Sequence, residues 1–289
     1  MNITGFTTTL IAVSAIFVLA KPENREPSME RYADQELVQN NDKEQVSNSN
    51  KDGRMANIAD FNKLSEQFLA DIIAGRKTND IRTKLHSTTL EELEKGLTTD
   101  QEKLAFWINI YNAYIQVILS ENPKLYEDRQ AFFKAEQIPI AGRMISFAKI
   151  EHGIIRKSQW ELGLGYIRKW FPNKFERKLR VDDRDYRIHF ALNCGAKDCP
   201  PVAVYTASDV DRQLDKGTEK YLQRVSEYNP DTKEVKTTAL FSWFRGDFGG
   251  KGGVKDILKE NEIIPTTEKV ELVFKNYDWT LDLDNFTEL

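Results

Sequence analysis

Apolar residues recur at helical spacing through the first half of the chain. Phe61, Leu64, Phe68, Leu69 and Ile72 share one side of a 3.6-residue period and predict a helix over residues 58–73. A second helix is predicted over 98–120, with Thr98 and Gln101 as its capping box and Asn122-Pro123 as its stop. Trp107, Ile108, Ile110, Tyr111, Tyr114, Ile115, Val117, Ile118 and Leu119 cover well over half of its circumference, so this helix is expected to be buried. Residues 138–145 alternate about Ala141-Gly142 as a small hairpin, and Ser146 is placed to cap a helix running to about Lys157. Further on, 186–192 reads as a strand and 208–228 as an amphipathic helix. Strand-like runs follow at 234–240, 270–274 and 279–283, with a short helix at 254–260. Helices first and scattered strands later, without βα alternation, argue for an α+β fold: a buried central helix packed on a small, mainly antiparallel sheet.

The N-terminal end departs from this pattern. Residues 1–20 carry no charge, end in Val18-Leu19-Ala20 and turn polar at Lys21-Pro22, the pattern of a cleavable signal peptide. No Lys or Arg precedes the apolar run, and 3–20 is close to the lower limit for crossing a bilayer, so an uncleaved anchor is the alternative. Residues 21–55, rich in Asn, Glu, Gln, Ser, Lys and Asp, bury too little to offset their ordering entropy and read as a flexible linker. Residues 56–289 are then one globular domain, exported to the periplasm or the extracellular space, with no stable membrane span unless the first segment is retained.

Composition sharpens this picture only in part. With 40% hydrophobic and 30% charged residues the chain is not disordered, and 2 cysteines in 289 residues do not make a disulfide-stapled miniature. A net charge of −4 supplies no field toward nucleic acid, so no nucleic-acid partner is expected. The basic and aromatic stretch from Arg168-Lys169-Trp170-Phe171 to Lys178 and Arg180 reads as a solvated helix face. The glycine-rich run from Gly246 to Gly253, which contains Asp247, lacks the signature of a phosphate loop and reads as flexible.

Candidate chemistry lies where polar residues interrupt apolar faces. Asn109, Asn112 and Gln116 form a narrow stripe on the buried helix; they either tie down a neighbouring backbone or orient a site. Glu151 falls within the apolar face of the 146–157 helix, beside His152, and Arg156 follows His152 at i+4. A carboxylate so placed requires a partner or a raised pKa. In His189-Phe190-Ala191-Leu192-Asn193-Cys194-Gly195 a regular strand turns His189 and Asn193 to the face opposite Cys194. On that geometry His189 is a poor direct base for Cys194, and His152 is at least as good. Four readings of Cys194 and Cys199 stay open: a disulfide across a short loop, a Cys194 thiolate activated by histidine, a zinc pair with unusual Cys-x4-Cys spacing, and inert buried thiols.

These segments resemble domain of unknown function 547, a family found in bacteria and in plant proteins. The resemblance rests on Ala105-Phe106-Trp107-Ile108-Asn109-Ile110-Tyr111-Asn112-Ala113, on Ile150-Glu151-His152-Gly153-Ile154-Ile155-Arg156, on 189–196 with Cys199-Pro200-Pro201, and on Tyr277-Asp278-Trp279. It spans about 60–283 in the expected order, with Asp198 where the family more usually has Ser. The resemblance implies that Asn109, Asn112, Glu151, His152, Arg156, His189, Asn193, Cys194 and Cys199 are hallmark positions. It implies no agreed activity, and the coiled-coil neighbours of some plant members fit a scaffold as readily as an enzyme.

The expected function is a Cys/His-dependent amide or thioester hydrolase or acyl-transfer enzyme, of papain-like or transglutaminase-like site logic. Cys194 is its nucleophile, His152 or His189 its base, Asn109 or Glu151 the group that orients the base, and backbone N–H groups near Gly195 the oxyanion hole. Asn112, Asn193 and Arg156 bind or orient. The substrate is peptide-like or a cell-envelope fragment, with no cofactor or metal. The alternative is a non-catalytic binding or scaffold module with a structural Cys194–Cys199 disulfide.

Overall fold

In the computed structural model, residues 60–289 are described; the expected signal peptide at 1–20 and linker at 21–55 lie outside the described residues. The helices are α1 (Phe61–Ile73), α2 (Asn79–Ser87), α3 (Leu90–Gly96), α4 (Asp100–Glu121), α5 (Arg129–Lys134), α6 (Lys174–Leu179), α7 (Val210–Val225), α8 (Leu240–Trp243) and α9 (Gly250–Glu260). The hairpin β1 (Ile138–Ile140) and β2 (Arg143–Ile145) pairs antiparallel; β3 (Glu227–Asn229), β4 (Glu234–Thr237) and β5 (Glu271–Phe274) form a second sheet. The domain is α+β.

Helix α4 is the axis of the domain, with sixteen of its 22 residues buried. Its neighbours are chiefly helices: α1, α7, the 3-10 turn at Pro123–Asp128 and the π-helix at Lys149–Ile155. The expected packing of the central helix on a sheet is therefore replaced by packing on helices. Phe68 meets Tyr114, and Tyr111 meets Phe147, each edge to face at 5.1 Å. The larger sheet sits instead over a second core of Phe190, Tyr221, Phe241, Phe248 and Leu258. Its β3–β4 pair is antiparallel and its β4–β5 pair parallel, so the sheet is mixed. Among the described residues no helix is long and apolar enough to cross a membrane.

Local chemistry explains where the elements depart from expectation. Helix α4 starts one residue late because the Glu102 carboxylate gathers the N–H groups of Thr98 (2.7 Å) and Thr99 (2.9 Å), while Gln101 turns to Asp211. Helices α2 and α3 bury too few apolar side chains for their periodicity to be read from the sequence. The expected strand at 186–192 is a 3-10 helix, Tyr186–Phe190. Asp185 caps it by accepting the Arg187 N–H, and Arg187 ties it to α7 through Asp211 (2.8 Å) and Asp215 (2.7 Å). Strand β4 stops early because Thr238 accepts the Leu240 N–H and opens α8. The run at 279–283 forms a single antiparallel bridge, Ala196 with Leu281.

Two amides of α4 hold loops that carry no ladder of their own. Asn112 donates to Ala191 O and accepts from Asn193 N–H, each at 2.9 Å. Asn109 does the same to Tyr205, donating to its carbonyl at 2.7 Å and accepting from its N–H at 2.9 Å. An Asn112→Ala change leaves both backbone groups buried and unpaired, a loss of about 2–5 kcal/mol. Urea unfolding is expected to show this loss; a change below about 0.5 kcal/mol would mean that water replaces the amide.

Candidate functional site

The π-helix gives the site its shape. Ser146 caps its entry, its Oγ accepting the Lys149 N–H at 3.1 Å, and the wide turn is closed by Arg156 N–H to Glu151 O and Ser158 N–H to Gly153 O. Ile150, Ile154 and Ile155 pack into the core, whereas Glu151 and His152 line a cleft of about 220 Å³. His189 and Cys194 line the same cleft, so the fold brings the Glu151–His152 pair together with a second pair that lies far from it in the sequence. A larger cavity of about 620 Å³ shares Tyr277 with this cleft but holds none of the sequence-predicted site residues.

Behind the cleft lies a charged cluster centred on Asp247, which the sequence reading left in a flexible loop. Its Oδ2 accepts from Arg156 Nε at 2.7 Å and from His189 Nε2 at 2.8 Å; its Oδ1 accepts from Arg184 Nη1 at 3.0 Å. Burial raises the Asp247 carboxyl, but the His189 hydrogen bond and the Arg156 charge outweigh it and hold the group well below the usual carboxylate range. The loop reaches this far inward because Gly165 and Gly246 lie face to face. A Cβ on Gly165, at φ +86°, falls 2.5 Å from Asp247 Oδ1, and one on Gly246 falls 2.5 Å from the Gly165 carbonyl carbon.

Both histidines are neutral. Burial, then the Arg156 charge, pushes His152 down to about 3; burial pushes His189 down to about 4 despite its bond to Asp247. Arg156 Nη1 donates to His152 Nδ1 at 2.6 Å, which leaves the His152 proton on Nε2. His189 donates from Nε2, which leaves Nδ1 as its acceptor. Phe244 fixes both partners: the His189 ring stacks on it at 4.0 Å, and the Arg156 guanidinium lies 4.7 Å from its centre. Because His152 is neutral, its 3.6 Å approach to Glu151 is not an ion pair. Glu151 is 16% exposed, and burial pushes it up to about 7 against the opposing pull of the Arg156 charge and of Tyr111.

The cysteine loop differs from the expected catalytic arrangement. Cys194 and Cys199 are joined as a disulfide, so in this form Cys194 offers no thiolate. Histidine is not at hand either: His152 and His189 are engaged by Arg156 and Asp247, and the side-chain polar group beside Cys194 Sγ is the Tyr277 hydroxyl at 4.0 Å. The backbone donors expected to form an oxyanion hole are occupied. Gly195 N–H bonds to Asn193 Oδ1 at 2.8 Å and Cys194 N–H to Cys199 Sγ at 3.0 Å. Asn193 also holds Pro200 O at 2.8 Å, so it braces the loop. Asn109 orients no histidine, since both ends of its amide are bonded to Tyr205. Arg156 donates to both His152 Nδ1 and Asp247 Oδ2.

The remaining wall of the cleft is aromatic, and sequence reasoning missed most of it. Trp243 and Trp279 stack at 5.5 Å with Tyr277 against both, and Tyr111, Phe133 and Phe244 also line the cleft. Among the described residues no group of three or more His, Cys, Asp or Glu gathers to hold a metal ion. Residues 95–222 match the family model described as "Protein of unknown function, DUF547", which spans the π-helix, both histidines of the site and both cysteines. No curated protein and no solved structure matches the chain, so nothing supports the papain-like or transglutaminase-like expectation.

The shifted groups fix the sign of a pH dependence. His152 and His189 take up protons on unfolding, so their contribution is complete above pH 6.5 and is lost as pH falls toward 4 and 3. Glu151 acts oppositely: its contribution is complete below pH 4.5 and is lost as pH rises through about 7. Glu151→Gln is therefore expected to stabilise the fold more at pH 8 than at pH 4. His189→Gln is expected to flatten the acid limb, by up to about 1.4 kcal/mol per pH unit. Melting temperatures across pH 4–8 decide both; parallel profiles for all three proteins sink the assignment.

Proposed function

We propose, on the premise that this chain belongs through residues 95–222 to the DUF547 family, that its domain is an exported ligand-binding module. The observation that carries this reading is a cleft with stacked aromatic walls and one poised carboxyl, closed on one side by a disulfide. Flat aromatic faces suit a ligand with ring or planar surfaces, such as a peptide bond or a sugar. Glu151, with a pKa of about 7, both donates and accepts a hydrogen bond near neutrality, so it suits a polar end that shares a proton. A peptide-like or cell-envelope fragment has both features. Export is supported by the pattern of residues 1–20 and by the disulfide, since such bonds persist in oxidising compartments.

A second reading keeps the catalytic cysteine. It is favoured by one observation: Cys194 lines the same cleft as Glu151, His152 and His189. It requires a dithiol reductant to deliver two electrons and two protons to the Cys194–Cys199 bond, after which Cys194 can attack an acyl carbon.

The two readings separate in one series. Oligopeptides and peptidoglycan fragments are titrated against the full chain while tryptophan fluorescence is followed. Binding is expected to fall about tenfold in Trp279→Ala, and its pH dependence, centred near 7, to vanish in Glu151→Gln. Alkylation of the untreated chain is expected to label neither cysteine. Labelling of Cys194 without reductant, with thioester hydrolysis that Cys194→Ser abolishes, overturns the binding reading in favour of the enzyme.

A further inference from the structure

The stretch 168–180 that reads in the sequence as a solvated helix face is helical only over α6 (Lys174–Leu179), and what precedes that helix is a loop. Between Gln159 and Arg168, joined by an antiparallel bridge, the chain forms a closed loop with a short 3-10 turn at Glu161–Gly163. Trp160 N–H bonds to Ile167 O at 2.8 Å and Tyr166 N–H to Gly163 O at 2.8 Å. The base of the loop is clamped to the body: Gly246 N–H donates to Leu164 O at 2.7 Å and Arg184 to Gly165 O at 2.9 Å. A segment this firmly bonded would be expected to bury its apolar side chains. It does the reverse. Of the ten large apolar residues exposed among the described residues, seven lie within 160–171, with Leu162 at 70%, Trp170 at 83% and Phe171 at 92%. Concentrated exposure on a rigid base marks a contact surface rather than scattered surface apolarity.

Charge selects the partner. Residues 157–180 hold seven basic residues against two acidic ones, in a chain whose net charge is −4. Of the two acids, Glu176 is buried between Lys149 (2.8 Å) and Lys169 (3.2 Å), and Glu161 lines the cleft. Arg168 and Lys174 are exposed beside Trp170 and Phe171. Amphipathic aromatic rings flanked by cations match the interfacial zone of an anionic bilayer, where rings sit at headgroup depth and cations meet lipid phosphates. We infer that the 160–171 loop docks this domain on an anionic lipid surface. Glu161 belongs both to this loop and to the cleft lining, so docking brings the cleft rim to the bilayer.

The test uses the full chain with vesicles of phosphatidylcholine, alone or mixed equally with phosphatidylglycerol, some carrying brominated acyl chains. Tryptophan emission is expected to be quenched on brominated anionic vesicles, and Trp170→Phe is expected to reduce that quenching, leaving the share due to Trp160, while keeping the binding. Trp170→Ser with Phe171→Ser is expected to weaken partitioning about tenfold or more. Arg168→Glu with Lys174→Glu is expected to remove the preference for anionic vesicles. Both pairs lie at the surface, so folding is retained and checked by the melting temperature. Quenching that persists unchanged in Trp170→Phe, as when residues 1–20 alone hold the chain on the vesicle, overturns the proposal. Loss of a dimer rather than of vesicle binding in the serine variant also overturns it and marks the loop as a protein contact.

Discussion

The carboxylate of Asp247 joins parts of the chain that have no other reason to meet. It receives Arg156 from the π-helix, 91 residues away, His189 from a 3-10 helix, and Arg184 from the segment between them. An unpaired charge at this depth costs several kcal/mol, and an arginine with its carboxylate removed costs a comparable amount. Each partner is therefore held by the penalty of losing the others. Both imidazoles stay neutral, so the charges behind the cleft are the Asp247 carboxylate and its two guanidinium partners, Arg156 and Arg184. A cluster of this kind specifies geometry more than it adds stability, because an apolar replacement of equal volume avoids the desolvation altogether.

That geometry decides what the cleft can do. The two imidazoles are locked in the same tautomer, each with its proton on Nε2: His152 accepts from Arg156 at Nδ1, and His189 donates to Asp247 and leaves Nδ1 as an acceptor. Neither takes up a proton near neutral pH, so neither is suited to general-base work there. The group left to exchange a proton is Glu151, whose pKa of about 7 arises from the burial that the π-helix imposes. The cysteine loop, in contrast, spends its polar groups on itself: Asn112, Asn193, Gly195 and Cys194 bond to one another or to the loop backbone, and the disulfide closes it. In the disulfide form these bonds build one wall of the cleft.

What the sequence disclosed follows the range of the interactions involved. Helix α4 was legible because a helix apolar nearly all round has no alternative to burial, and its Asn stripe because an amide there must find a partner. Glu151, His152 and Arg156 were legible because one helix presents them together. The stretch at 186–190 was not, since a run of five alternating residues suits a strand until Asp185 and Arg187 supply the bonds of a 3-10 turn. Asp247 was hidden for another reason. Its role depends on Gly165 and Gly246 meeting across the fold, and glycines in a short run read locally as flexibility.

The same meeting of glycines also sets the exposed loop at 160–171. The bond from Gly246 N–H to Leu164 O and the bond from Arg184 to both Gly165 O and Asp247 make one structure of the loop base and the buried cluster. Arg184 spans the two directly, one guanidinium nitrogen serving the carbonyl at 2.9 Å and the carboxylate at 3.0 Å. A side chain at either glycine would push apart the backbones that hold Asp247 inward and the apolar loop outward. The polar floor of the cleft and the apolar prong beside it therefore have a common foundation. A change at Gly165 or Gly246 that loosens the prong acts on Asp247, and through it on Arg156 and on His189, which lines the cleft.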